Sequence, residues 1–211
     1  MAVLDFNQIY NDNTWGSSES RSGRGSELAQ TQHIRGALPS LLAELGVSSL
    51  LDVPCGDFHW MQHVDLGAIK YIGGDIVEDI ITENQRTFKS RKNVSFKTID
   101  ILKDELPKAD AVLCRDLFVH FTLDDALRGI ANVCRSGATY LIATTFTDRL
   151  TNSETLLLDM WRPLNMVQPP FNFPSPVAVI NEQCTDMDFG LDYSDKCLGV
   201  WRICDIKNVS V

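Results

Sequence analysis

Acidic residues stand at the ends of consecutive apolar runs, and their spacing suggests a ligand rather than a series of isolated caps. The first run leads into Asp52-Val53-Pro54-Cys55-Gly56-Asp57-Phe58, the second ends at Asp75 and the third at Asp100. A glycine such as Gly56 lets the backbone approach a ligand closely. A carboxylate placed like Asp75 can take both hydroxyls of a ribose in a bidentate hydrogen bond, and Asp100 is placed to reach an adenine amine. Taken singly, each aspartate reads as a loop or helix cap. Three at successive strand ends point to one shared site.

The elements that must position them alternate in type. Short apolar runs over Ser49–Val53, Ile69–Ile72, Val94–Ile99, Ala109–Cys114 and Ala138–Thr145 read as strands. Helical patterns cover Glu27–Leu45, Val77–Lys89 and Leu123–Cys134. Leu38, Leu41, Leu42 and Leu45 carry the first, which Gly46 stops, and Pro39 predicts a kink or two helices there. Thr122 is a plausible N-cap for the third. Such alternation predicts an α/β fold, doubly wound around a mostly parallel seven-stranded sheet. Val177–Ile180 and Leu198–Ile203 follow without a helix between them, which predicts an antiparallel C-terminal strand pair. In an open sheet of this kind, ligands bind beyond the carboxyl ends of the strands. Residues 1–26 form a polar arm, a tail or a lid, and Trp15 argues for the lid because a large aromatic needs something to pack on. Residues 27–211 read as a single domain with an insert at 147–176, rich in Pro, Asn and aromatics.

The bulk properties narrow the field. With 211 residues the chain fits one domain. A formal charge of −9 disfavours a nucleic acid partner. No apolar run approaches the ~18 residues of a membrane span, and no signal peptide is recognisable. Six cysteines lack C-x-x-C pairing and several lie in apolar runs, as buried reduced thiols do, which implies a cytoplasmic protein. His59 and His63 are at i, i+4 spacing without a third ligand nearby, so no metal site is expected.

Several stretches together resemble the class I S-adenosylmethionine-dependent methyltransferases, in a little-described bacterial-type branch. They are Leu50–Gly56, Trp15-Gly16-Ser17 with Ser22–Ser26, Gly74–Val77, Cys114–His120, Trp161–Asn165 and Asp195–Arg202. In that family the first loop usually reads as an acidic residue followed by alternating glycines. Here Pro54 and Phe58 stand where glycines are commoner. The resemblance implies S-adenosyl-L-methionine as methyl donor and S-adenosyl-L-homocysteine as product. Gly56 and Asp57 would line the methionine part, Asp52, Pro54 and Cys55 would also touch the cofactor, and Asp75 would hold the ribose with Ile76 against the adenine. Asp100 and Ile101 would contact its far edge, and Cys114, Arg115 and Asp116 would pass beneath the sulfonium. Trp15, Arg24, Gly25 and Ser26 of the arm would join them, Arg24 gripping the cofactor carboxylate. A nicotinamide dinucleotide is the rival ligand, but an aspartate beside Gly56 would repel its phosphates.

Methyl transfer also needs an acceptor pocket and, for an oxygen of high pKa, a base. His120 is the base candidate, or else caps a helix. Asp116 could take the proton or bind a metal, and Arg115 could orient an anion or neutralise Asp116. Phe146, Trp161, Arg162 and Asn165 suit a small polar acceptor such as a sugar or carboxylate-bearing metabolite, although Trp161 and Phe171 could instead close the core. The expected protein is a monomer or homodimer, and the alternative reading is a methyltransferase-like scaffold without turnover.

Overall fold

The computed structural model describes residues 4–155, 160–185, 187–188 and 191–206. The main sheet comprises β1 (Ser49–Asp52), β2 (Lys70–Asp75), β3 (Val94–Thr98), β4 (Ala111–Cys114), β5 (Tyr140–Phe146), β6 (Ala178–Asn181) and β7 (Lys196–Arg202). These seven strands lie in the order β3-β2-β1-β4-β5-β7-β6. All neighbours pair in parallel except β7, which runs antiparallel between β5 and β6. The expected C-terminal antiparallel pair is thus present, with Ala178 opposite Val200, and β7 also pairs β5 along its whole length. A separate two-residue pairing joins Met187–Asp188 to Leu191–Asp192.

Strand alternation sends successive side chains to opposite faces, and each face has its own apolar layer. Among the described residues the α-helices are α1 (Phe6–Asn11), α2 (Gln32–Glu44), α3 (Glu78–Thr87) and α4 (Leu123–Arg135). Leu50, Leu113, Ile142 and Val200 meet Ile34, Leu38 and Leu42 of α2 on one side. Leu51, Val112, Leu141 and Trp201 meet Ala126, Ile130 and Val133 of α4 on the other. α2 is one helix that contains Pro39, rather than two, and it starts five residues later than its leucine pattern suggests. Thr122 caps α4 as expected, its hydroxyl accepting from the Asp125 N–H at 3.0 Å. Asp124 and Asp125 in the first turn and Arg135 in the last complement the helix dipole.

The described part of the insert has no helix, and asparagines replace regular structure as its hydrogen-bonding frame. Asn152 Nδ2 donates to the carbonyls of Asn165 and Pro169, each at 2.9 Å, while its Oδ1 accepts from the Asn165 N–H at 2.8 Å. Asn165 Nδ2 reaches back to the Arg149 carbonyl at 2.8 Å. Leu164, Met166, Phe171 and Phe173 then fill the layer beside α4 and Trp201. Each such side chain stabilises the fold by about 1.5–3 kcal/mol through burial.

Candidate active site

Two cavities lie beyond the carboxyl ends of the strands. The first has a volume of about 290 Å³ and runs along β1, β2 and β4 beneath the N-terminal arm. The second, about 210 Å³, lies between the arm, the end of β5, the insert and β7. Trp15, Ser22, Asp116 and His120 border both.

The loop after β1 shapes the first cavity. Gly56 takes φ +53°, and a Cβ there would lie 2.1 Å from Ser22 Oγ, so only glycine lets the arm approach this closely. Phe58 also takes a left-handed conformation, φ +58°, at a position where the family more often has glycine. That conformation costs about 1–2 kcal/mol for an L residue. Complete burial of its ring against Tyr71, Phe88 and Phe96 offsets the cost.

Asp52, Asp57, Asp75 and Asp100 are among the carboxylates that border this space. Asp75 is buried and accepts from the Gly56 N–H and the Val77 N–H, both at 3.0 Å, while burial raises its pKa to about 6. Asp52 accepts from the Tyr71 hydroxyl at 2.6 Å, and burial raises it to about 7. Asp57 holds the arm: it accepts from Ser20 Oγ at 2.9 Å, from the Arg21 N–H at 2.8 Å and from Ser22 Oγ at 3.2 Å. Asp100 accepts from the Leu102 N–H at 2.9 Å and pairs with Lys103 at 2.8 Å. The opposite wall is apolar, with Val77, Ile80, Ile99, Ile101 and Leu102. Ile76 borders it too, and at 42% exposure is one of few large apolar side chains left open to solvent. Trp15, Ser26, Pro54, Cys55 and Arg115 complete the expected residues found on this cavity. Arg24 and Gly25 border the second cavity instead, and Cys114 lies buried within β4.

A buried charge cluster forms the floor where the cavities meet. Arg115 donates to Glu182 through Nε at 3.1 Å and Nη2 at 2.6 Å, to the Gly25 carbonyl at 2.8 Å, and lies 3.3 Å from Asp116. Lys196 Nζ is 2.7 Å from Asp116 and 3.5 Å from Glu182. Asp116, at φ +54°, also accepts from Thr144 Oγ1 at 3.2 Å. Although burial opposes it, the Lys196 ammonium and the Arg115 guanidinium hold the Asp116 carboxyl well below the usual carboxylate range. Both cations thus lie within ion-pair distance of the Asp116 carboxylate. The described residues contain no group of three or more metal-ligating side chains.

His120 ends a single 3-10 turn after β4. Its Nδ1 is 2.6 Å from the Met160 carbonyl. A carbonyl only accepts, so Nδ1 carries a proton and Nε2 is the basic nitrogen. Burial lowers the imidazole's pKa, which keeps it neutral near pH 7.

The second cavity has aromatic walls. Trp161 meets Tyr193 edge-on at 5.1 Å and Phe146 at 6.3 Å. Phe146 and Trp161 therefore face the expected acceptor space, whereas Arg162 and Asn165 border neither cavity. Arg162 is buried with one nitrogen on the Phe121 carbonyl at 2.6 Å, and Asn165 ties the insert together. The sequence reading missed Glu182, Lys196 and Tyr193. Lys196 did leave a signal, as a charged residue just before the apolar run Cys197–Trp201.

The parallel sheet with its single reversed strand between β5 and β6 is the class I methyltransferase fold. Residues 51–142 match the family model described as a methyltransferase domain. An N-methyltransferase from Bradyrhizobium japonicum, solved with S-adenosyl-L-homocysteine, is similar at 13% identity over 94% of this chain and 98% of that one, with a TM-score of 0.65. A Pyrococcus horikoshii protein is similar at 17% identity over 82% and 89%, TM-score 0.59. Magnesium protoporphyrin IX methyltransferase from Synechocystis, solved with bound S-adenosylmethionine, is similar at 18% over 75% and 84%, TM-score 0.54. No curated protein matches the chain.

Proposed function

We propose that this protein is an S-adenosylmethionine-dependent methyltransferase that methylates an oxygen atom of a small polar molecule, a sugar or a carboxylate-bearing metabolite. The observation that carries the donor assignment is the first cavity. It places a buried carboxylate, Asp75, beside an open apolar wall that includes Ile76. Asp75 suits vicinal ribose hydroxyls, and Ile76, Ile99 and Ile101 suit the flat face of adenine. Asp100 stands at the adenine edge, although Lys103 and the Leu102 N–H already engage its oxygens. The Gly56 N–H that a phosphate would need is taken by Asp75. Together with the surrounding carboxylates, this argues against a dinucleotide and for a cationic, phosphate-free ligand. When bound, S-adenosylmethionine supplies an electrophilic methyl on a sulfonium.

The remaining work falls to the chain's own residues. The arm covers the cavity and excludes water, latched by Asp57. His120 Nε2 takes the proton from the acceptor hydroxyl, since Asp116 is held ionised by two cations. The second cavity, about 210 Å³, is of a size that suits a small acceptor. A carboxylate acceptor, already ionised, would not need the base.

The test uses tritiated-methyl donor with a fractionated extract of small metabolites. Transfer of label to a small molecule, slowed in His120→Gln with unchanged donor affinity, is the expected result. Donor binding without transfer to any fraction would favour the scaffold reading instead.

A further inference from the structure

Three independent contacts hold the His120 ring, and two come from the N-terminal arm. The Trp15 indole lies over its face, with ring centroids 5.2 Å apart and planes 30° from parallel. Phe6 of α1 meets it edge-on, centroids 6.1 Å apart at 83°. The third contact is the Met160 carbonyl on Nδ1. Trp15 is itself seated by close backbone approach: a Cβ on Gly23 would lie 3.1 Å from Trp15 Cβ. Beyond it the arm is fixed to the β1 loop through Ser20, Arg21 and Ser22 on Asp57.

We propose that Trp15 is a positioning residue for His120, and that seating the arm and assembling the base are one event. This rests on the reading of His120 as the base. An imidazole in water prefers the proton on Nε2, the tautomer that cannot accept a proton at the nitrogen left free here. A hydrogen bond to Met160 alone lets the ring swing about χ1 and χ2. A stacked indole and a phenyl edge confine it to the plane in which Nδ1 faces the carbonyl. Since the same arm roofs the first cavity and supplies Gly23, Arg24 and Gly25 to the second, both cavities and the basic nitrogen exist together only when the arm is down. An enzyme built this way deprotonates its acceptor only after the donor has been enclosed.

Long-range proton–nitrogen correlation NMR on protein labelled with 15N-histidine reads the tautomer directly. Spectra are recorded at pH 8 without donor or acceptor, and His120 is assigned by its loss in His120→Gln. Wild type is expected to show the Nδ1–H form. Trp15→Phe should retain it, because a ring still covers the imidazole. Trp15→Ala should lose it in favour of Nε2–H, with the amide signals of the sheet unchanged as the check on folding. Asp57→Ala, which unlatches the arm without touching the His120 ring, should also weaken it. Retention of a full Nδ1–H population in folded Trp15→Ala would overturn the proposal. The result is independent of turnover, so it stands or falls separately from the base assignment, which His120→Gln tests in the transfer assay.

Discussion

The two cavities share a wall but are assembled from different kinds of structure. The first is made by the sheet: β1, β2 and β4 end beside one another because they pair in register, and their terminal residues meet as a consequence. The second is made by parts brought from far along the chain: the arm, the insert and β7. Its floor depends on ion pairs that span long separations, Arg115 to Glu182 across 67 residues and Asp116 to Lys196 across 80. A cavity built by the sheet inherits the stability of the core. A cavity built by long-range charge pairs stands only while every member keeps its partner, which suits a region that must differ between enzymes of one fold.

That difference can be broken at several points. The largest effect belongs to Glu182→Ala, which removes the main partner of the buried Arg115 guanidinium and leaves Arg115 and Lys196 to share Asp116. Removing one partner of a buried pair costs about 3–5 kcal/mol, so thermal unfolding should shift down strongly while the isolated first cavity still binds donor below the new midpoint. Asp75→Ala is expected to act the other way. Donor affinity should fall about 10–100-fold, the range for hydrogen bonds to a charged group, as read by calorimetry. Smaller still is the effect of pH on donor affinity. Hydroxyl donors favour ionised Asp75, whose pKa is about 6, so affinity should weaken as pH falls through that value, beyond the change that Asp52 contributes near 7. The step near pH 6 should vanish in Asp75→Asn. Least of all, Asp57→Ala should leave the midpoint nearly unchanged, yet speed proteolytic cleavage between residues 15 and 26 severalfold.

The same contrast explains what the sequence made legible. The strands, their order of appearance, the Thr122 cap and the clustering of Asp52, Asp57, Asp75 and Asp100 follow from apolar periodicity and from the rule that ligands sit at carboxyl strand ends. Phe58 looked like a departure from a glycine motif, but it adopts the glycine-like backbone and uses its ring for the core. What could not be read were pairings with no local pattern. Asp57 served as a latch for the serines of the arm, and nothing near Ser20 or Ser22 marks a partner 35 or 37 residues away. Trp161 and Phe171 were indistinguishable as aromatics in a long loop. Only folding sends Phe171 into the layer under α4 and leaves Trp161 on the second cavity.

Above all, the first cavity must be the donor site. Titration of S-adenosyl-L-homocysteine into the full chain by isothermal calorimetry tests this directly. One equivalent should bind to wild type, with affinity reduced at least tenfold in Asp75→Ala. Absence of binding to folded wild-type protein, or equal affinity in Asp75→Ala, would contradict it.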